Sequence, residues 1–251
     1  MKNISLFFLF FFATISQSNA AEVLIVADEF PAMEVLVKAL KTQENIDSKI
    51  VLQTEMPSNL SGYLAVLVYI HKDLSPETEK AFVNYTKAGG KLILLHHSIS
   101  SHKRKNAEWF PFLGVELPKG EANDGGYSYE GNINMEVVNL APKHFITTHK
   151  IKYPEKISYQ RESENEERKT KGYKLLNTEG YINIKSNGDK TILLGFKFTD
   201  KKGKIWMQDR AAWCMKADKG WLFYLQPGHA ISDYEDPTNA RIVMNAVIYK
   251  F

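Results

Sequence analysis

Residues 89–102 read GGKLILLHHSISSH. Paired glycines lead into Lys91–Leu95, a run dominated by large aliphatics, and His96 and His97 follow directly. A short, continuous apolar run bounded by turn residues predicts a strand buried on both faces, the type found in parallel sheets. In open α/β sheets, ligands bind in the crevice outside the carboxyl ends of such strands. The two imidazoles are therefore either hydrogen-bonded structural groups or chemistry delivered to that crevice.

The surrounding sequence supports the sheet. EVLIVA (22–27), SKIVLQT (48–54) and YLAVLVYI (63–70) are three further strand candidates. Between the first two, Pro31 opens a pattern in which Met33, Leu36, Val37 and Leu40 recur at helical spacing. Ser75-Pro76-Glu77 supplies an N-cap, a first-turn proline and a first-turn acid, and Gly89-Gly90 marks the left-handed end of that helix. Apolar strands alternating with helices predict an α/β fold, a mostly parallel sheet with helices on both faces. Beyond His97 the texture turns polar, aromatic and glycine-rich. MEVVNL (135–140) is a strand candidate, RESENEERKTKG (161–172) reads as a solvated loop or hairpin tip, and several short strands follow. Some of these are antiparallel extensions of the sheet. Asp236-Pro237 then caps a C-terminal helix with a broad apolar face.

Residues 1–20 stand apart. Lys2, the apolar run Leu6–Ala13 and the small residues Ser18 and Ala20 make a secretory signal peptide with cleavage expected after Ala20. The apolar run is far shorter than the ~20 residues of a membrane-spanning helix. The expected product is exported, periplasmic or secreted, with no membrane contact after cleavage. It comprises residues 21–251 as one domain. The lone cysteine, Cys214, offers no intramolecular disulfide, and its apolar neighbours make it a packed thiol. A net charge of +3 spread along the chain gives no case for nucleic acid. Homo-oligomerisation stays open.

Two predicted strand ends carry histidine: His96-His97, and His229 after GWLFYLQPG. Gly228 beside His229 suggests tight backbone geometry. Each histidine alone is more often structural, but their joint placement points to a site. Neighbouring strand residues point to opposite faces, so only one of His96 and His97 can follow the pleat unless a sharp turn presents the other. His97 is the one expected to meet His229. These two, with a carboxylate, could ligate Zn²⁺ or a similar divalent metal, although no H-E-x-x-H spacing is present. Ser98 lacks the G-x-S-x-G setting of a serine nucleophile. It joins Trp109, Tyr129 and Asp233 as candidate substrate-binding groups, the aromatics being suited to sugar faces.

GGKLILLHHSISSHKRKNAEWFPFLGVE resembles the stretch of trehalose-utilisation (ThuA-like) proteins in which a Gly-Gly turn precedes a strand ending in His-His. KGWLFYLQPGHAISDYEDPTNARIVMNAVIYK is similar to that family's closing segment, and KHFITTHKIKYP to its His-Pro-Ile-Thr segment. The likeness spans about residues 22–251. It implies the class I glutamine-amidotransferase-like, flavodoxin-like fold. His96-His97 then falls where amidotransferases of this fold hold their cysteine nucleophile, and His229 where they hold the catalytic histidine. No cysteine is near either position, so thiolate-dependent amide hydrolysis is excluded. The resemblance implies a carbohydrate-derived small-molecule ligand from disaccharide or keto-glycoside metabolism, with His96, His97 and His229 as acid/base groups or metal ligands. The chain departs from the family where many members carry Asp-Glu-x-Tyr. Here the stretch is Lys156-Ile157-Ser158-Tyr159, and Phe145 replaces the proline of His-Pro. Against the family pattern Tyr159 remains as a substrate-binding candidate, and either a different carboxylate such as Glu130 or Asp233 serves the site or the protein binds without catalysing. Non-catalytic sugar binding and metal-dependent hydrolysis of another substrate are the alternatives.

Overall fold

A computed structural model describes residues 22–251; the expected signal peptide lies outside the described residues. Four short apolar runs become strands: β1 (Val23–Ala27), β2 (Ser48–Val51), β3 (Ala65–Tyr69) and β4 (Lys91–Leu95). Between them lie α1 (Pro31–Glu44) and α2 (Pro76–Lys87), each starting on its proline. The Ser75 hydroxyl accepts from Thr78 N at 3.1 Å, satisfying one of the orphan N–H groups of the first turn. At the other end Gly89 takes φ +120°, the left-handed exit expected there.

The middle of the chain adds α3 (Trp109–Leu113), β5 (Val115–Glu116), β6 (Ser128–Asn139), α4 (Phe145–Thr148) and β7 (Glu155–Tyr159). It continues through β8 (Arg168–Ile182), β9 (Lys185–Ser186), β10 (Thr191–Thr199), β11 (Ile205–Ala217) and β12 (Gly220–Leu225). Two helices close it, α5 (Ile231–Glu235) and α6 (Pro237–Ile248), the latter capped by Asp236 through Thr238 N and Asn239 N, both at 2.9 Å. The charge-dense stretch is the tip of the β7–β8 hairpin, with β8 beginning at Arg168.

Ten strands form one sheet in the order β2-β1-β3-β4-β12-β11-β10-β6-β8-β7. Its first five are parallel, and their order is that of a flavodoxin-like sheet. The other pairings are antiparallel and make an extension as wide as the parallel half. Alternate residues of each central strand serve opposite cores. Val23, Ile25 and Ala27 pack with α1 and α6, whereas Leu24 and Val26 pack with Phe82 of α2 and Leu113 of α3. Burial on both faces is why these strands read as unbroken apolar runs.

The long strands of the extension are not straight. The β6–β8 pairing shifts register between Gly131 and Ile133 and again between Ile133 and Met135. Bulges bend a strand and re-aim its side chains. As a result, residues 178–181 of β8 reach the carboxyl ends of β4 and β12, although β8 lies four strands beyond β12 in the sheet. Among the described residues no helix is long and apolar enough to cross a membrane.

Candidate functional site

β4 ends at Leu95, and His96 takes φ +36°. A non-glycine residue there carries a backbone cost of order 1–3 kcal/mol and persists only where its surroundings over-determine it. They do so here. His96 Nδ1 lies 2.5 Å from the Gln226 carbonyl, and the Tyr224 hydroxyl donates to the His96 carbonyl at 3.3 Å. Ser98 locks the next turn by donating to the carbonyls of Val68 (2.6 Å) and Leu95 (2.9 Å). The abrupt turn puts both histidines at the crevice. The rings of His96 and His97 each lie 5.2 Å from that of His229. The sharp turn that could present the second histidine is thus present, and the preference for His97 is corrected: both rings meet His229 because the left-handed residue breaks the alternation of the strand.

Glu179 of β8 completes the group. One ligand atom from each of His96, His97, Glu179 and His229 falls within 4.8 Å of the others. A carbonyl only accepts, so His96 Nδ1 carries a hydrogen, and Nε2 faces Glu179 Oε1 at 3.2 Å. Two acceptor atoms at that separation need a cation between them, a proton or a metal ion. His97 Nδ1 bonds the Tyr181 hydroxyl at 2.8 Å, and Tyr181 also hydrogen-bonds Glu179. Among the described residues, His97 Nε2 and His229 Nδ1 are buried without any partner. His229 Nδ1 stands 4.0 Å from Glu179 Oε1.

The electrostatics favour neutral imidazoles at His97 and His229 beside one ionised carboxylate. Burial pushes the His97 imidazole far below the usual histidine range, and the neighbouring His96, His71, His229 and Lys103 add to it. For His229, burial and then His96 push the same way and outweigh Glu179 and Asp233. Burial works to raise the Glu179 carboxyl, but His96, His229 and Tyr181 together hold it below the usual carboxylate range. Neutral imidazoles and an ionised carboxylate are the protonation states a metal ion requires of its ligands. Three imidazoles and a carboxylate suit Zn²⁺ and related ions. Outer contacts to Gln226 and Tyr181 are of the kind that orient ligating histidines.

Asp233 serves the site from behind. Its Oδ2 accepts from His229 N (2.8 Å), Ala230 N (3.0 Å) and the Thr178 hydroxyl (2.6 Å), tying the His229 loop to β8. The Tyr69 hydroxyl donates to the His229 carbonyl at 3.0 Å. Gly228 has φ +142°, and a Cβ there would meet the Tyr234 hydroxyl at 2.6 Å, so the tight geometry expected beside His229 is present.

Other expected ligand contacts are not brought to this group. Trp109 is fully buried against Phe82, its indole donating to the Ser98 carbonyl at 2.8 Å. Ser98 is likewise buried and spends its hydroxyl on backbone. Tyr159 packs under the far half of the sheet and donates to Asp209 at 2.8 Å. Glu130 pairs with Lys201 at 3.6 Å, and Tyr129 is exposed on β6. The carboxylate expected from Glu130 or Asp233 is instead Glu179, and the phenol is Tyr181 rather than Tyr159. Bending of the antiparallel strands is the physical reason. Glu179 and Tyr181 sit two apart on one face of a strand, in the run Thr178-Glu179-Gly180-Tyr181. Glu179 is the sole acid of β8, but the strand also carries Arg168, Lys169, Lys171 and Lys174, so no local signal in the sequence sets it apart.

A flavodoxin-like α/β protein with a histidine–carboxylate cluster at its strand ends is the class defined by this architecture. Residues 21–250 match the ThuA family, described as trehalose utilisation, and the chain belongs to that family. Its fold is also that of a ThuA-like protein from Bacteroides uniformis, with 15% identity and a TM-score of 0.62 over 94% of this chain and 93% of that one. A cold-adapted β-galactosidase from Rahnella sp. R3 is similar over 90% of this chain at 11% identity and a TM-score of 0.57. A β-galactosidase from Bacillus circulans sp. alkalophilus is similar over 89% at 12% identity and a TM-score of 0.52. The match covers only 30% of each β-galactosidase. No curated protein matches the chain.

Proposed function

We propose that this protein is an exported enzyme acting on carbohydrate derivatives, keto-glycosides foremost, at a divalent-metal site built by His96, His97, Glu179 and His229. The observation that carries the reading is the convergence of these four donors with two buried imidazole nitrogens left unpartnered. Family membership supports the substrate class, and the signal-like residues 1–20 support the exported setting. A bound ion would act as a Lewis acid on a substrate carbonyl. The protein's own residues orient and insulate the donors. Gln226 fixes His96, Tyr181 holds His97, and Asp233 with Tyr69 fixes the backbone that carries His229. Cys214 takes no part. It is buried on β11, and burial raises its thiol to about 11.

The test is turnover of 3-keto-glycosides by metal-loaded and EDTA-treated protein, with metal content measured alongside. Activity that requires metal and disappears in a His97→Ala, His229→Ala double variant is the expected result. Equal turnover by wild type and double variant would sink the reading. Saturable sugar binding without turnover would make the protein a carbohydrate-binding one instead.

A further inference from the structure

Four clustered donors spent on a metal ion would not be free to carry a proton. A fourth imidazole lies directly beside them. His71 follows the carboxyl end of β3, and its ring stacks on that of His97 at 3.9 Å and 5°. Its Nδ1 is 2.9 Å from Glu29 Oε1, a residue just beyond the end of β1. A carboxylate oxygen facing a ring nitrogen accepts from it, so Nδ1 carries a hydrogen and Nε2 is the ring nitrogen not engaged by Glu29. The His71 side chain is 40% exposed, so it is open to a ligand in a way that His96 and His97 are not. Its backbone is held on both sides. Asp28 accepts from His71 N (2.7 Å) and Lys72 N (2.8 Å), and the buried Lys103 amine donates to the His71 carbonyl at 3.0 Å.

We infer that His71 is the acid/base residue of the crevice and that Glu29 is the positioning residue behind it. This rests on the reading of the site as one for carbonyl-bearing sugars. A base oriented by a third group is the recurrent arrangement for proton transfer. The His71 Nε2 lone pair forms an N–H bond as the C–H bond beside the substrate carbonyl breaks. The C–H electron pair moves into an enolate. The resulting imidazolium, facing Glu29, returns the proton to carbon and restores the ketone. Nothing is oxidised or consumed.

The experiment follows deuterium entry from D₂O into a methyl 3-keto-glycoside by NMR, using Zn²⁺-loaded protein. His71→Phe keeps a ring against His97 but no nitrogen. It is expected to slow exchange by about a hundredfold or more, with Zn²⁺ stoichiometry and KM unchanged. Glu29→Gln lowers kcat without raising KM, and Glu29→Asp restores part of it. In metal-free protein, imidazole ¹⁵N shifts should show His71 as the Nδ1–H tautomer, a preference lost in Glu29→Ala. Wild-type exchange in His71→Phe, loss of its Zn²⁺, or an Nε2–H tautomer overturns the inference. So does a wild type that turns over keto-glycosides without exchanging that proton, which leaves the proposed function standing. A wild type that neither binds metal nor turns over the probe overturns that function, and this inference with it.

Discussion

The two halves of the sheet divide the labour unequally. In the parallel half, sequence neighbours become spatial neighbours at regular intervals, and every strand end opens on one edge, where His71, His96, His97 and His229 gather. The antiparallel half supplies fewer groups to the site, but its Glu179 adds the one carboxylate of the candidate cluster and its Tyr181 bonds His97. A regular sheet edge can collect residues of one type; a bent and bulged extension is needed to bring the opposite charge over it.

That contrast can be broken most directly at Glu179. Replacing the antiparallel half's carboxylate by alanine should weaken Zn²⁺ binding by at least about a hundredfold. That figure is the upper end of the 10–100-fold loss typical of outer contacts to a metal ligand, and equilibrium dialysis against a competing chelator measures it. Tyr181→Phe removes only the hydroxyl that holds His97, so a loss of about 10–100-fold is expected in the same assay. Unaltered affinity in both variants would mean that the histidines suffice without the extension.

The strand-end histidines of the parallel half should set the acid response. His97 is held neutral in the fold, while in the unfolded chain it protonates below its ordinary 6.5. The unfolded state then binds more protons, so His97 leaves stability intact above pH 6.5 and lowers it as pH falls further. The slope is up to about 1.4 kcal/mol per pH unit. Urea denaturation of EDTA-treated protein at pH 7 and pH 5, compared with His97→Phe, reads this slope. An unchanged slope in the variant would assign it elsewhere. The smallest effect belongs far from the crevice. Tyr159→Phe loses one hydrogen bond to Asp209, worth about 1 kcal/mol, and should leave metal affinity untouched.

Legibility in the sequence follows the same division. Apolar runs, the proline starts and the Gly89 exit identify the parallel half, because each is a local rule acting on adjacent residues. His96, His97 and His229 were legible for the same reason: a strand end is a local feature. Glu179 and Tyr181 were not, because their position depends on register shifts between strands that are distant in sequence. Trp109 and Tyr159 mislead in the opposite direction. An aromatic side chain looks the same in the sequence whether it faces a ligand or, as both do here, the interior.

The left-handed backbone at His96 has an evolutionary consequence. Glycine would relieve the strain at that turn while erasing a central donor of the cluster. Emptying the buried space of that ring and orphaning the Gln226 carbonyl costs more than the relief, so a laboratory selection for heat resistance alone should not drift toward His96→Gly. With or without a demand for turnover, such a selection should hold the histidine in place and find its stabilising changes elsewhere.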